Sequence, residues 1–138
     1  MIVAIDTSVI VAALSTFDTR YQSAARAIER LANENTLIVP LHVLMECYSV
    51  LTRRPKPFRV SPAEALRALR ESFGDMALAG LSTDQLWPLF ESFVRRGISG
   101  GRIYDAAIAH AAREAGADAI LTFNVRHFEG EGLQVLSP

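Results

Sequence analysis

The sequence predicts an α/β protein: a three-layer α/β/α sandwich around a mainly parallel sheet of four to five strands. Three observations predict it. Short Ile-, Val- and Ala-rich runs alternate with longer segments of helical apolar spacing. The runs are apolar at consecutive positions, as strands covered by helices on both faces must be. The chain has 138 residues, 50% hydrophobic and 21% charged, which suits one core and excludes a disordered composition. Residues 1–138 therefore read as a single domain, with no repeat, low-complexity tract or linker.

Ile2–Ile5 is the first expected strand, ended by Asp6. Thr7 and Ser8 are expected to cap a short helix running to about Leu14. Tyr21–Ala32 places apolar or small residues at 21, 24, 25, 28, 31 and 32, a helical stripe. Thr36–Val39 reads as a second strand, closed by Pro40. Leu41–Arg53 has helical length, and its nearly continuous apolar surface predicts burial on most faces. A basic, proline-broken loop follows, Arg53-Arg54-Pro55-Lys56-Pro57-Phe58-Arg59. Ser61-Pro62-Ala63-Glu64 has the spacing of a capping box with proline in the first turn, and predicts a helix to about Phe73. Asp75–Ala79 is a candidate third strand. Ser82–Gln85 opens another helix toward Arg96, in which Pro88 predicts a kink. Gly97–Gly101 is a glycine-rich loop, Tyr104–Ala115 an alanine-rich helix, and Ala119–Thr122 and Leu133–Leu136 the last strands.

Composition narrows the function. A net charge of −1 excludes a uniformly basic nucleic-acid binder and leaves room for a local basic patch. Cys47 is the only cysteine, which excludes a disulfide framework and a cysteine-based zinc cluster, and a lone thiol suits a reducing cytoplasm. Met1–Leu14 is apolar, but it lacks a basic start and Asp6 interrupts it, so it reads as mature protein. No apolar run approaches the roughly 20 residues that span a bilayer, and a cytoplasmic protein without membrane contact is expected.

Four polar residues stand where a fold gains least from them. Asp6 lies at the carboxyl end of the first strand, the edge at which open α/β sheets bind ligands. Taken alone, it is equally a helix cap. Glu46 interrupts the apolar helix, where a carboxylate is costly unless paired. A salt bridge to Arg53 or a solvated stripe with His42 would also account for it. Asp105 follows a glycine pair in the first turn of a helix, where its charge suits the dipole. Asn124 stands just past the fourth strand. If the four converge, they form a hard-oxygen cluster suited to Mg²⁺ or Mn²⁺ and to phosphodiester chemistry. Arg53, Arg54, Lys56 and Arg59, with Arg95, Arg96, Arg102 and Arg126, would guide a phosphate backbone.

These stretches resemble the PIN domain, and more narrowly the VapC-type toxin ribonucleases of type II toxin–antitoxin (VapBC) pairs. The matching segments are Ile-Val-Ala-Ile-Asp6-Thr7-Ser8, the helix carrying Glu46, Gly100-Gly101-Arg102-Ile103-Tyr104-Asp105-Ala106, and Leu121-Thr122-Phe123-Asn124 with Phe128 beyond. They span almost the whole chain in family order, and the Gly-Gly-Arg-Ile-Tyr-Asp-Ala stretch is the most specific. The resemblance implies Mg²⁺-dependent endoribonuclease activity, with Mn²⁺ as an alternative ion. Asp6, Glu46 and Asp105 would be catalytic, and Asp6 and Asp105 the direct metal ligands. Thr7, Ser8, Thr122 and Asn124 would support them, and Arg53, Arg54, Arg102 and Arg126 would contact RNA. A VapB-like antitoxin and a homodimer are the implied partners. Many PIN nucleases carry a fourth acid where this chain has the uncharged Asn124, which weakens the case for a second bound ion.

Other readings exist. A haloacid-dehalogenase-like site would need an acid two residues after Asp6, where Ser8 stands, and a receiver-like domain would need a late lysine, whereas Lys56 is the only one. A non-catalytic PIN-like interaction module, or a PIN nuclease outside a toxin–antitoxin pair, would share the same fold.

Overall fold

A computed structural model describes residues 1–138. Its elements in chain order are β1 (Ile2–Ile5), α1 (Thr7–Ala13), α2 (Tyr21–Glu34), β2 (Thr36–Pro40), α3 (Leu41–Arg53), α4 (Pro62–Phe73), β3 (Ala77–Ala79), a 3₁₀ turn (Thr83–Gln85), α5 (Leu86–Arg96), α6 (Arg102–Glu114), β4 (Ala119–Leu121), α7 (Val125–Phe128) and β5 (Gln134–Leu136). The five strands form one parallel sheet in the order β3-β2-β1-β4-β5. The seven helices flank it, giving the three-layer α/β/α sandwich. No helix is long and apolar enough to cross a membrane.

The strands are buried because their residues are apolar on both faces. Val3, Ala4, Ile5, Val39, Ile120 and Leu121 are almost completely shielded from solvent. The chain steps from β1 outward through β2 to β3, then crosses back to lay β4 on the other side of β1. That reversal opens a crevice at the carboxyl ends of β1 and β4, the usual ligand position in such sheets. Asp6 and Thr122 are the residues that leave these two strands.

Several local expectations change. Asp6, rather than Thr7 or Ser8, is the N-cap of α1, with its carboxylate accepting from the Ser8 backbone N–H. Thr7 and Ser8 stand inside the helix, and their hydroxyls are free for other partners. Pro88 does not kink α5, because the helix starts at Leu86 and puts the proline in its first turn. The first four N–H groups of a helix have no intrahelical acceptor, so nothing is lost there. The one-turn helix α7, absent from the sequence reading, buries Phe128. The capping box of α4 forms as expected: Glu64 N–H donates to Ser61 Oγ at 3.2 Å, and Ser61 N–H to Glu64 Oε2 at 3.0 Å.

Helix α3 departs most from expectation. Only Val43, Cys47 and Leu51 are buried. Leu41, Met45 and Tyr48 stay exposed, Met45 at 64%. Together with Leu66, Leu69 and Leu78 they line an open apolar groove of about 480 Å³ between α3, α4 and the β3 edge.

Candidate functional site

The pocket at the carboxyl edge, about 380 Å³, is lined by Asp6, Glu46, Asp105 and Asn124 among others. Residues from four separate stretches of chain therefore meet in one place. β1 delivers Asp6, α3 delivers Glu46, the first turn of α6 delivers Asp105, and the turn after β4 delivers Asn124.

Asp6 is 3% exposed and tightly held. Its Oδ2 accepts from Ser8 Oγ at 2.7 Å and from Thr122 Oγ1 at 2.8 Å. Each hydroxyl has one proton to give, and both are given to Asp6. Their lone pairs then accept backbone N–H groups, Phe123 onto Ser8 Oγ at 3.0 Å and Asn124 onto Thr122 Oγ1 at 2.9 Å. The turn after β4 is thus tied to the acid after β1. All these donors converge on Oδ2. Oδ1 accepts from no protein group and is not a buried orphan, so it remains for a ligand.

Glu46 is fixed differently. Its Oε2 accepts from Thr7 Oγ1 at 2.5 Å, and its Oε1 lies 3.1 Å from His42 Nε2, one turn earlier on α3. The His42 ring stacks on Tyr104, with centroids 5.1 Å apart. Neither the bridge to Arg53 nor full burial accounts for this acid. His42 does share its stripe.

Asp105 is half-buried, and burial is the largest cause raising its pKa above the ordinary carboxylate value. The charges of Asp6 and Glu46 add to the rise, and His127 opposes it. His127 Nδ1 lies 2.9 Å from Asp105 Oδ2. The mutual repulsion of the acids is the electrostatic mark of a site suited to a cation.

These groups fit a hard divalent ion by chemistry: oxygen donors, a free Asp6 Oδ1, and negative charge that repels itself. They are not a closed chelate, since no three His, Cys, Asp or Glu side chains surround one point. An ion that takes one or two carboxylates and fills its remaining positions with water suits such an open set.

Of the arginines singled out in the sequence, Arg53 lines this pocket. Arg102 and Arg126 line an adjoining groove that shares Asp105 and His127 with it. Arg54 does neither: its guanidinium lies 5.1 Å over the Phe17 ring, and its carbonyl accepts from Arg59 Nε. Sequence reasoning missed His127 and Arg20, both on the pocket wall. The apolar pair Val125 and Phe128, three apart, signals the turn that carries His127. No sequence signal marks Arg20.

A parallel α/β/α sheet with an acidic pocket at its carboxyl edge defines the class. The chain belongs to the PIN domain family, whose model matches residues 3–130. Among curated proteins it is 35% identical to Ribonuclease VapC40 of Mycobacterium tuberculosis over 127 residues, covering 92% of this chain and 90% of that protein. It is 42% identical to Ribonuclease VapC27 of the same organism over 74 residues, 53% of this chain and 52% of that protein. Two solved structures share the fold. VapBC2 from Rickettsia felis, bound to a DNA fragment from its promoter, superposes with a TM-score of 0.72 at 20% identity, over 99% of this chain and 98% of that one. Mycobacterium tuberculosis VapC20, described as a sarcin–ricin loop cleaving toxin, gives 0.62 at 21% identity, over 86% of each chain.

Proposed function

We propose that this chain is the toxin of a type II toxin–antitoxin pair and a Mg²⁺-dependent endoribonuclease, with Mn²⁺ as an alternative ion. One observation carries the reading: Asp6, Glu46 and Asp105, 99 residues apart at the extremes, line one pocket in which Asp6 keeps a free oxygen. The relationship to Ribonuclease VapC40 supports it.

Asp6 and Asp105 would hold the ion. When bound, such an ion makes water acidic and neutralises charge on a phosphodiester. The chain's own residues do the rest. Ser8 and Thr122 fix Asp6 through Oδ2, so that Oδ1 faces the ligand in one orientation. Thr7 and His42 fix Glu46, which orients the attacking water. Asn124 contributes an uncharged amide at the rim. Arg53, Arg102 and Arg126 attract the RNA backbone from either side of Asp105.

The partners are a VapB-like antitoxin and a second copy of the chain. Exposed apolar patches mark candidate protein–protein interaction sites. The exposed Leu41, Met45, Tyr48 and Leu66 of α3 and α4 provide that surface.

The test is cleavage of total cellular RNA by purified, antitoxin-free protein with Mg²⁺, with Mn²⁺ and with EDTA, beside an Asp6→Ala control. Cuts that need both the ion and Asp6 are expected. Absence of cleavage by folded protein with either ion overturns the reading. Expression of the chain alone should arrest growth, and co-expression of its antitoxin should restore it.

A further inference from the structure

Arg20 is anchored on the wall of the acidic pocket by partners that none of the other pocket arginines has. It lies at the end of the α1–α2 turn and forms part of the pocket wall with Asp6, Ser8 and Asn124. Its guanidinium is doubly anchored. Nε donates to Asp18 Oδ1 at 3.1 Å and Nη2 to Asp18 Oδ2 at 3.0 Å, a two-pronged pair. Its guanidinium carbon also lies over the Phe123 ring, 4.9 Å from the centroid. Phe123 belongs to the same turn whose backbone N–H binds Ser8. The arginine is thus indexed to the structure that orients Asp6.

Asp18 is itself fixed. It accepts the backbone N–H of Arg20 at 2.8 Å, and its side chain is only 15% exposed, against 46% for Arg20. The acid faces inward and the cation outward. Of the five guanidinium N–H groups, Asp18 engages two and leaves three for an outside acceptor. Stacking on an aromatic face and forked pairing are what arginine does and lysine cannot. An anchored side chain loses little freedom when it takes a ligand.

We propose that Arg20 is a substrate-positioning residue that grips a phosphate of the RNA strand beside the scissile bond, pre-aimed by Asp18 and Phe123. The proposal rests on the nuclease reading above. It assigns the α1–α2 wall of the pocket to the substrate backbone, next to the adjoining groove of Arg102 and Arg126 that shares Asp105 and His127 with it. Arg20 lines one and Arg102 and Arg126 the other of the two cavities that meet at Asp105.

The test measures binding of fluorescein-labelled bulk tRNA in EDTA, and in parallel the cleavage of total RNA with Mg²⁺. Arg20→Ala should weaken tRNA binding about tenfold, the worth of a charge-assisted contact. Arg20→Lys should restore only part of it. Arg30→Ala, which removes the same charge elsewhere on α2, should stay within about twofold of the parent. Asp18→Asn separates positioning from bulk charge. Removing an acid should tighten RNA binding if charge alone matters, and should weaken it severalfold if Asp18 aims Arg20. Thermal melts identify any variant that fails to fold, and Arg20→Gln then carries the test.

Binding unchanged in Arg20→Ala, or tightened in Asp18→Asn, overturns the proposal. A parent that cuts RNA while Arg20→Ala binds and cuts equally well overturns the Arg20 role alone. A parent that binds tRNA through Arg20 yet never cuts overturns the nuclease reading and leaves the phosphate grip standing. A parent that neither binds nor cuts overturns both.

Discussion

Thr7 Oγ1 donates to Glu46 Oε2 at 2.5 Å, so the residue directly after Asp6 holds the acid supplied by α3. One dipeptide at the end of β1 therefore sets two of the three carboxylates, Asp6 by its own backbone and Glu46 by its neighbour's hydroxyl. Thr7→Ser keeps that donor and should keep RNA cleavage within about threefold. Thr7→Val keeps the shape and removes the donor, and should lower kcat by 10- to 100-fold, as loss of an orienting partner does at a metal site. Single-turnover cleavage assays check both.

Thr122 is fully buried, donates to Asp6 and accepts from Asn124. Thr122→Val leaves the Asn124 N–H without its acceptor and Asp6 with one fewer donor. We expect a loss of about 1–3 kcal/mol in stability and a fall in cleavage larger than that of Thr7→Val, because Asp6 Oδ1 loses its aim. Chemical denaturation and cleavage rates measure the two effects separately.

Asp105 has a raised pKa, chiefly from burial and then from Asp6 and Glu46. A carboxyl group raised on folding favours the folded state below its unfolded pKa, and that favour is lost as pH rises through the folded value. In metal-free protein, Asp105→Asn should therefore raise Tm at neutral pH and change it little below the unfolded value of 3.8. Mg²⁺ should do to the wild type what the substitution does, raising Tm as a ligand of the folded state, and should do so much less for Asp105→Asn. Scanning calorimetry across pH, with Mg²⁺ and with EDTA, checks each arm.

Cys47 is fully buried on the inner face of α3, and burial, with Asp6 and Glu46 nearby, pushes its thiol well above the ordinary range. The thiolate is the reactive form. The folded protein should resist iodoacetamide at neutral pH and become alkylated once unfolded in guanidinium, which mass spectrometry reads directly.

The layers of this fold were legible because period and composition agree within each segment. Ile2–Ile5 and Thr36–Val39 are apolar at every consecutive buried position, and Ser61 to Glu64 carries a complete cap. Asp6, Glu46 and Asp105 stood out as a set: each alone has an ordinary explanation, as a helix cap, a paired acid or a charge suited to a helix dipole, and only their convergence asks for a shared one. What escaped depends on distant partners. His127 matters through Asp105, and Arg20 through Phe123, contacts that no local pattern encodes. The exposure of Met45 escaped for the opposite reason: an apolar residue announces a partner without saying whether the partner is its own chain. Pro88 misled because its effect depends on where the helix begins.

The bond from Thr122 to Asp6 joins residues 116 apart, and β4 supplies one of the two neighbours of β1. Synthesis delivers Asp6 first, and Thr122 follows 116 residues later. Until β4 is made, the first carboxylate has neither its orienting hydroxyl nor one of its flanking strands. A fragment that stops short of β4 therefore carries Asp6 without the partner that aims it, and the acidic pocket is complete only when the two distant stretches of the sheet are joined.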